Sequence, residues 1–253
     1  MISSKSNAKI KNVKKLLNSA KERRLQSVLV IEGLRLVREA SPEICEQLFL
    51  SESLSKAGEF DTSLYKNVEI VSDEVFRSLS DTVTPQGVLA VVKQPSWTLE
   101  QLSFENGCRL LLLDDIQDPG NLGTILRTAE AAGVNMVIMS EGCADIFNPK
   151  VIRSTMGSIF RLPFVTDDLV SVIEMLKTEG VTVYGAALEG SSDYREVEFS
   201  EKTAIVIGNE GNGISGNVLN AVNEKIRIPM KGQIESLNAA VSAAILLYHI
   251  YED

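Results

Sequence analysis

Three segments of the 253-residue chain gather residue types that could do chemistry. They are Asp118-Pro-Gly-Asn-Leu-Gly-Thr-Ile-Leu-Arg127, Ile207-Gly-Asn-Glu-Gly-Asn-Gly-Ile-Ser215 and Ile228-Pro-Met-Lys-Gly-Gln-Ile-Glu-Ser-Leu-Asn238. In each, an apolar run ends in a glycine-containing loop that presents a few polar side chains. Glycine lets backbone N–H and C=O groups come close to a ligand. Asn121, Glu210, Ser236 and Asn238 supply amide, carboxylate and hydroxyl groups, and Arg127 supplies one guanidinium. A helix starting near Ser236 and Asn238 would add free N–H groups suited to a phosphate or ribose. Three such loops at strand ends predict one composite site.

Other chemistries lack their residues. Gly120-Asn-Leu-Gly123 misses the third glycine of a dinucleotide fingerprint, and no GK[ST] follows a glycine run. His249 is the only histidine, so neither a Ser-His-Asp hydrolase nor a histidine metal site is supported. Cys45, Cys108 and Cys143 are scattered without CxxC spacing, which argues against zinc and disulfides and fits a reducing compartment.

The elements that would position the three loops fall after Cys108. Leu110–Leu113, Met136–Met139, Val181–Ala187 and Ala204–Ile207 are continuous apolar runs, as in parallel strands covered on both faces. Between them lie expected helices Leu122–Ala132, Pro149–Ser158 after an Asn148 cap, and Leu169–Glu179. In the first, Leu122, Ile125, Leu126 and Ala129 form the apolar stripe, while Thr124, Arg127, Thr128 and Ala131 form a second face. An arginine on a helix is ordinarily solvated or ion-paired; its place after a strand-end loop argues for a ligand. The last helix, about Leu237–Tyr251, has so little polar face that the core or a second subunit must cover it.

Before this lies a smaller α/β unit with no catalytic constellation. Strands are expected at Ser27–Ile31, Gln47–Leu50, Val68–Val71 and Val88–Val92, with helices at 5–22, Glu32–Ala40 and Glu74–Leu79, the last capped by Asp73. The division is a basic N-terminal arm at 1–24, a first domain at 25–94, a linker at 95–107 holding Trp97 and the Asn106-Gly107 turn signal, and a second domain at 108–253.

Net charge is −9, yet residues 1–24 hold eight Lys/Arg against the single acid Glu22, which makes the arm +7 and the remainder −16. Such asymmetry can guide a polyanion to one face, or it is a solvated helix surface. Apolar residues are 44% and no run reaches the ~18 needed for a membrane span. No secretory signal is visible, and a cytoplasmic location is expected.

Taken together, Asn121-x-Gly123-x-x-x-Arg127, Gly208-x-Glu210-x-x-Gly213 and Ile228-Pro-Met230-x-Gly232-x-x-x-Ser236-Leu237-Asn238 resemble the three motifs of the SpoU (TrmH) class of RNA ribose 2′-O-methyltransferases. Asn148-Pro-Lys150 to Gly157, Arg161-Leu-Pro163, Glu32-Gly33 and Pro85-Gln-Gly-Val88 extend the resemblance over nearly the whole chain.

The resemblance implies an α/β fold of SPOUT type. The catalytic domain would be a mostly parallel sheet with helices on both faces, its C-terminal segment threaded as a trefoil knot. The smaller N-terminal domain would be an L30e-like, RNA-binding one. It implies S-adenosylmethionine held near Gly208, Ile228, Met230 and Leu237, no metal, and a homodimer with the site near its interface. Arg127 would be the base, or would only orient the 2′-hydroxyl. A neighbouring phosphate and the arrangement around Asn121 would make it the base, Glu210 and Asn238 would hold Arg127 or the ligand, and Ser236 would meet an RNA phosphate. Lys9, Lys11, Lys14, Arg35 and Arg38 are candidate phosphate contacts. RNA is the expected partner, 23S ribosomal RNA the favoured substrate, and neither DNA nor a membrane is expected. Transfer RNA methylation, an antibiotic-resistance role and a non-catalytic RNA-binding or ribosome-assembly protein are the alternatives.

Overall fold

The structure, a computed structural model, describes residues 1–80, 82–105 and 107–250. Asn106 and Tyr251, expected in the linker turn and at the end of the last helix, lie outside the described residues. The chain forms two compact units. One is Met1–Pro95 together with Phe147–Phe160; the other is Ser96–Ile146 together with Arg161–Asp253.

The first unit is built on a four-stranded mixed sheet. Its strands are β1 (Val28–Glu32), β2 (Cys45–Ser51), β3 (Val68–Val71) and β4 (Val88–Lys93), in the order β1-β4-β2-β3. β4 is antiparallel to both neighbours, and β2 pairs β3 in parallel. Helices α1 (Ala8–Asn18), α2 (Ala20–Gln26), α3 (Leu34–Glu39), α4 (Glu52–Ala57) and α5 (Asp73–Arg77) complete it.

The basic N-terminus is not a separate arm. Ile10, Val13 and Leu16 of α1 are buried against Val30, Phe49, Val75 and Leu89, and each such side chain stabilises the unit by roughly 1.5–3 kcal/mol. Nor is it one helix over 5–22. Ser19 is extended and its side chain accepts from the Glu22 N–H, ending α1 and starting α2. The break folds Arg23 back, so that its guanidinium donates to the carbonyls of Leu16 at 2.5 Å and Leu17 at 3.3 Å. Arg23 is therefore a buried cap on α1, not a surface cation. Similarly, Ser72 rather than Asp73 caps α5; Asp73 accepts from the Ser53 N–H and hydroxyl instead.

The second unit holds a seven-stranded sheet in which every recorded pair is parallel. The strands are β5 (Cys108–Asp114), β6 (Met136–Met139), β7 (Phe164–Thr166), β8 (Thr182–Ala186), β9 (Ser192–Asp193), β10 (Lys202–Gly208) and β11 (Glu224–Arg227), in the order β7-β6-β5-β10-β8-β11-β9. Its helices are α6 (Pro119–Ala131), α8 (Leu169–Thr178), α9 (Gly216–Ala221) and α10 (Ala239–Ile250). The continuous apolar runs are buried on both faces. Leu110, Leu112, Ile138 and Val206 pack with α8 and α9. Leu111, Leu113, Ile205 and Ile207 alternate with them and are equally buried, on the face where α10 meets β10 and α6.

The linear division at residue 108 does not hold. Helix α7 (Pro149–Thr155), started by Asn148 as expected, belongs with its flanks to the first unit, where it packs on β1. Gly157, at φ +100°, lies against Glu39 there, and a Cβ would meet the Glu39 Cγ at 2.9 Å. Trp97 packs on Phe164 within the second unit, with ring centroids 4.7 Å apart.

Candidate active site

Two of the three glycine loops, those after β10 and β11, wall one cavity of about 450 Å³ at the C-terminal ends of β8, β10 and β11; the loop at 118–127 does not line it and is joined to it through the Asn121–Glu210 hydrogen bond. This is where parallel α/β sheets ordinarily bind ligands, and the volume suits a nucleoside-sized molecule, for which ~300–1,000 Å³ is typical. Gly208, Ile228, Met230 and Leu237 all line it, with Glu210 and Ser236. Leu188 and Glu189, just past β8, form a wall that the sequence reading missed; they follow an apolar run, which was the available signal.

Gly208 is required by space. A Cβ there would sit 2.3 Å from the backbone of both Gly213 and Ile214. The loop is closed on itself by paired bonds between Asn209 and Gly213, each 3.0 Å. Asn209 shapes it further, its side-chain oxygen accepting from the N–H groups of Gly211 and Asn212.

Two contacts clamp this loop to the end of β5. The Asn209 amide donates to the Asp115 carbonyl at 2.8 Å, and the Ser215 N–H donates to the buried Asp114 carboxylate at 2.7 Å. Asp115 is held at φ +60°, a left-handed conformation that costs a non-glycine residue roughly 1–3 kcal/mol. Three residues later Asp118 caps α6 by accepting from the Asn121 N–H. Asp114, Asp115 and Asn209 were not singled out in the sequence because their roles are contacts between distant segments.

Asn121, Asn238 and Glu210 form a relay. Asn238 caps α10, its oxygen accepting from the N–H groups of Ala240 at 2.9 Å and Val241 at 3.3 Å. Backbone N–H groups can only donate, so they turn the Asn238 NH₂ outward, where it donates to the Asn121 oxygen at 2.9 Å. The Asn121 NH₂ in turn donates to Glu210 at 2.8 Å. The helix start thus sets the direction of the whole chain and makes Glu210 its acceptor. The helix begins at Ala239 and its cap is Asn238, so the Ser236 hydroxyl is left to the cavity.

Of the two roles expected of Glu210 and Asn238, holding Arg127 or holding the ligand, the first is not met within this chain, where both bond Asn121. Arg127 lies on the exposed face of α6, six residues and about 9 Å along the axis from Asn121. It does not line the cavity of its own chain and makes no hydrogen bond or ion pair among the described residues.

The candidate phosphate contacts lie on the first unit. Lys9 is ion-paired with Glu69, and Lys11 is exposed. Lys14 is half-buried and Arg35 exposed. Arg38 stands 5.9 Å from the Phe60 ring centre and donates to the Glu59 carbonyl at 3.4 Å. The thiols are not poised to react: burial pushes Cys45 and Cys108 up to about 11.

The relay is testable by an isosteric change. Asn121→Asp would set a second carboxylate against Glu210, which raises the pKa of the pair and destabilises the fold above the unfolded range of ~4. Its melting-temperature deficit should therefore shrink as the pH falls from 8 to 4.5, whereas that of Asn121→Ala should not. Equal deficits at both pH values would show that Asn121 and Glu210 do not interact in solution.

A parallel sheet whose strand-end cavity is walled by two glycine loops, with a third loop tied to them through Asn121, is the arrangement of a SPOUT-type methyltransferase domain. The model of the SpoU rRNA Methylase family matches residues 109–248, and that of the MRM3-like substrate binding domain matches residues 7–90. The chain belongs to the SpoU rRNA methylase family, a class of RNA 2′-O-methyltransferases that use S-adenosylmethionine. It is 41% identical over 251 residues to the 23S rRNA (guanosine(2553)-2′-O)-methyltransferase RlmP of Bacillus subtilis, covering 98% of both chains. The AdoMet-bound rRNA methyltransferase from Sinorhizobium meliloti superposes with a TM-score of 0.87 at 28% identity, covering 98% of this chain and 96% of that one. The SpoU methyltransferase AviRb from Streptomyces viridochromogenes, in complex with AdoMet, does so at 0.87 and 27%, covering 97% of each.

The cavity fits that cofactor on its own evidence. Leu188, Ile207, Ile228 and Leu237 offer an apolar slot for a purine. Of the lining residues in this loop, Met230, Glu235, Ser236 and Leu237, none has a backbone N–H that donates to a protein group among the described residues, which leaves these N–H groups for a ligand or water.

Proposed function

We propose that this chain methylates a ribose 2′-hydroxyl of 23S ribosomal RNA. The carrying observation is the cavity itself, with Glu210 and Ser236 on its wall and Asn121 tied to Glu210. The 98% coverage of the Bacillus subtilis enzyme supports the ribosomal substrate. The bound cofactor supplies an electrophilic methyl group; the chain aligns the acceptor oxygen with it. Gly208, Ile228, Met230 and Leu237 hold the cofactor. The relay keeps the three loops in register, and Ser236 meets an RNA phosphate. Arg127, whose guanidinium only donates, orients the 2′-oxygen and stabilises the charge that grows on it.

A homodimer brings Arg127 to the partner's cavity. Two observations support this: Arg127 does not wall its own cavity, and the apolar α10 leaves Val241 and Tyr248 exposed. A trefoil knot is the path we assign to 228–238. β11 lies two strands from β10, yet the chain returns from it to place Asn238 on Asn121 and α10 on β10. The setting is the cytoplasm, where ribosomal RNA is found. DNA is excluded as a methyl acceptor because it lacks the 2′-hydroxyl.

Nucleotide-resolution maps of ribose methylation, from cells with and without the gene, test the reading. One 2′-O-methyl mark in 23S RNA should disappear. Identical maps, or a mark lost from transfer RNA instead, would overturn it.

A further inference from the structure

The first unit carries a second cavity, of about 560 Å³, between α1, α2 and the sheet. Its floor is apolar, with Val13 and Phe49 beneath, and its rim is made of amides and cations. Lys9 and Lys93 stand on the rim. Each is ion-paired, to Glu69 and, at 3.5 Å, to Glu46. Exposed pairs of this kind are weak and can be exchanged for a phosphate.

The amides are arranged unusually. Asn12 and Gln26 exchange two hydrogen bonds, each 3.0 Å, leaving Asn12 with a spare donor and lone pair. Gln47 is half-buried on the wall, and its side chain makes no hydrogen bond among the described residues. It enters the cavity where the β2–β4 register shifts between Cys45 and Gln47. Its amide, open to the groove and uncommitted within the protein, can donate and accept toward a ligand.

The unit that carries the groove is the basic one, although Glu46 also lines the groove, paired with Lys93. The first unit has 16 Lys/Arg against 12 Asp/Glu, and the second has 9 against 22. We propose that this groove receives an unpaired nucleotide of the RNA. Gln47 and Asn12 take the hydrogen-bonding edge of its base, the apolar floor takes its ring, and Lys9 and Lys93 take flanking phosphates. Bases splayed from single strands are recognised by such edges and surfaces, and Asn and Gln amides match them as donor–acceptor pairs. The inference rests on RNA being the substrate.

Filter binding of in vitro transcribed 23S RNA across a salt series tests it, with wild type, Gln47→Ala and Lys93→Ala. Gln47→Ala should weaken binding about tenfold without changing the salt slope. Lys93→Ala should reduce the slope of log affinity against log salt by ~0.7–0.9. S-adenosylmethionine affinity by calorimetry and the melting temperature should match wild type in both, which separates a lost contact from a damaged fold. Wild-type RNA affinity and slope in both variants would overturn the groove while leaving the methyltransferase reading intact. Failure of the wild-type protein to bind the RNA would overturn both.

Discussion

Arg127→Ala is expected to lose methyl transfer by about three orders of magnitude while S-adenosylmethionine affinity stays within about twofold of wild type. The split follows from where the residue is. Arg127 does not line the cavity of its own chain, so its loss removes nothing that holds the cofactor there. It lies on the exposed face of α6, while Leu122, Ile125 and Leu126 of the same helix are fully buried and hold the helix in place. The melting temperature should therefore change little. Arg127→Lys keeps the charge but not the planar fork of donors, and should recover only a small part of the rate. Single-turnover kinetics with saturating cofactor, beside calorimetry on the same samples, reads both quantities. Undiminished transfer by the alanine variant would remove Arg127 from the mechanism. A matching collapse of cofactor affinity would place it in the binding site instead.

What could be read in the sequence was what is written locally. β5 and β10 are runs of aliphatic residues that only a doubly covered parallel strand explains, and both lie where expected. The stripe of α6 follows from 3.6-residue periodicity and is buried as read. β11 was legible only at its end, before the loop that starts at Ile228, because Glu224-Lys225-Ile226-Arg227 has one apolar residue and forms a strand beside β8. β9, two residues long, exists for the same reason. The break at Ser19 was hidden since Lys, Glu and Arg on either side are all good helix formers. Its cause is partly remote: the Arg23 guanidinium reaches back to the end of α1, and the Gln94 amide binds the Arg23 carbonyl.

The site shows the same division. Composition and spacing mark Asn121, Glu210 and Asn238 as polar residues beside glycines, but not that they bond to one another across 89 and 117 residues of sequence. Pairing Glu210 with Arg127 is the natural expectation from charge alone. The structure replaces it with an amide chain whose polarity is set by a helix cap. The carboxylate then keeps an oxygen for the cavity, and the guanidinium stays available for substrate.

The glycines allow a sharper test, because the motifs treat Gly208 and Gly232 alike and the structure does not. A methyl at Gly208 would lie 2.3 Å from two backbone atoms and 2.5 Å from the Gly213 carbonyl oxygen. Backbone cannot rotate away as a side-chain tip can. The loop that would have to move is pinned by the Asn209–Gly213 pair and by the contacts to Asp114 and Asp115. Gly208→Ala should therefore lower the melting temperature by about 3–10 °C, as overpacking of ~1–3 kcal/mol does in a domain of this size. It should also weaken S-adenosylmethionine binding by at least about tenfold, since moving Gly213 and Ile214 shifts the cavity wall. At Gly232 the same methyl meets nothing within 4 Å, and the residue does not require a left-handed backbone. Gly232→Ala should match wild type in melting temperature and, by calorimetry, in cofactor affinity to within about twofold. A Gly208→Ala protein as stable and as tight-binding as wild type would mean that the loop from 208 to 214 is not packed as found, and the cavity would lose its defining wall.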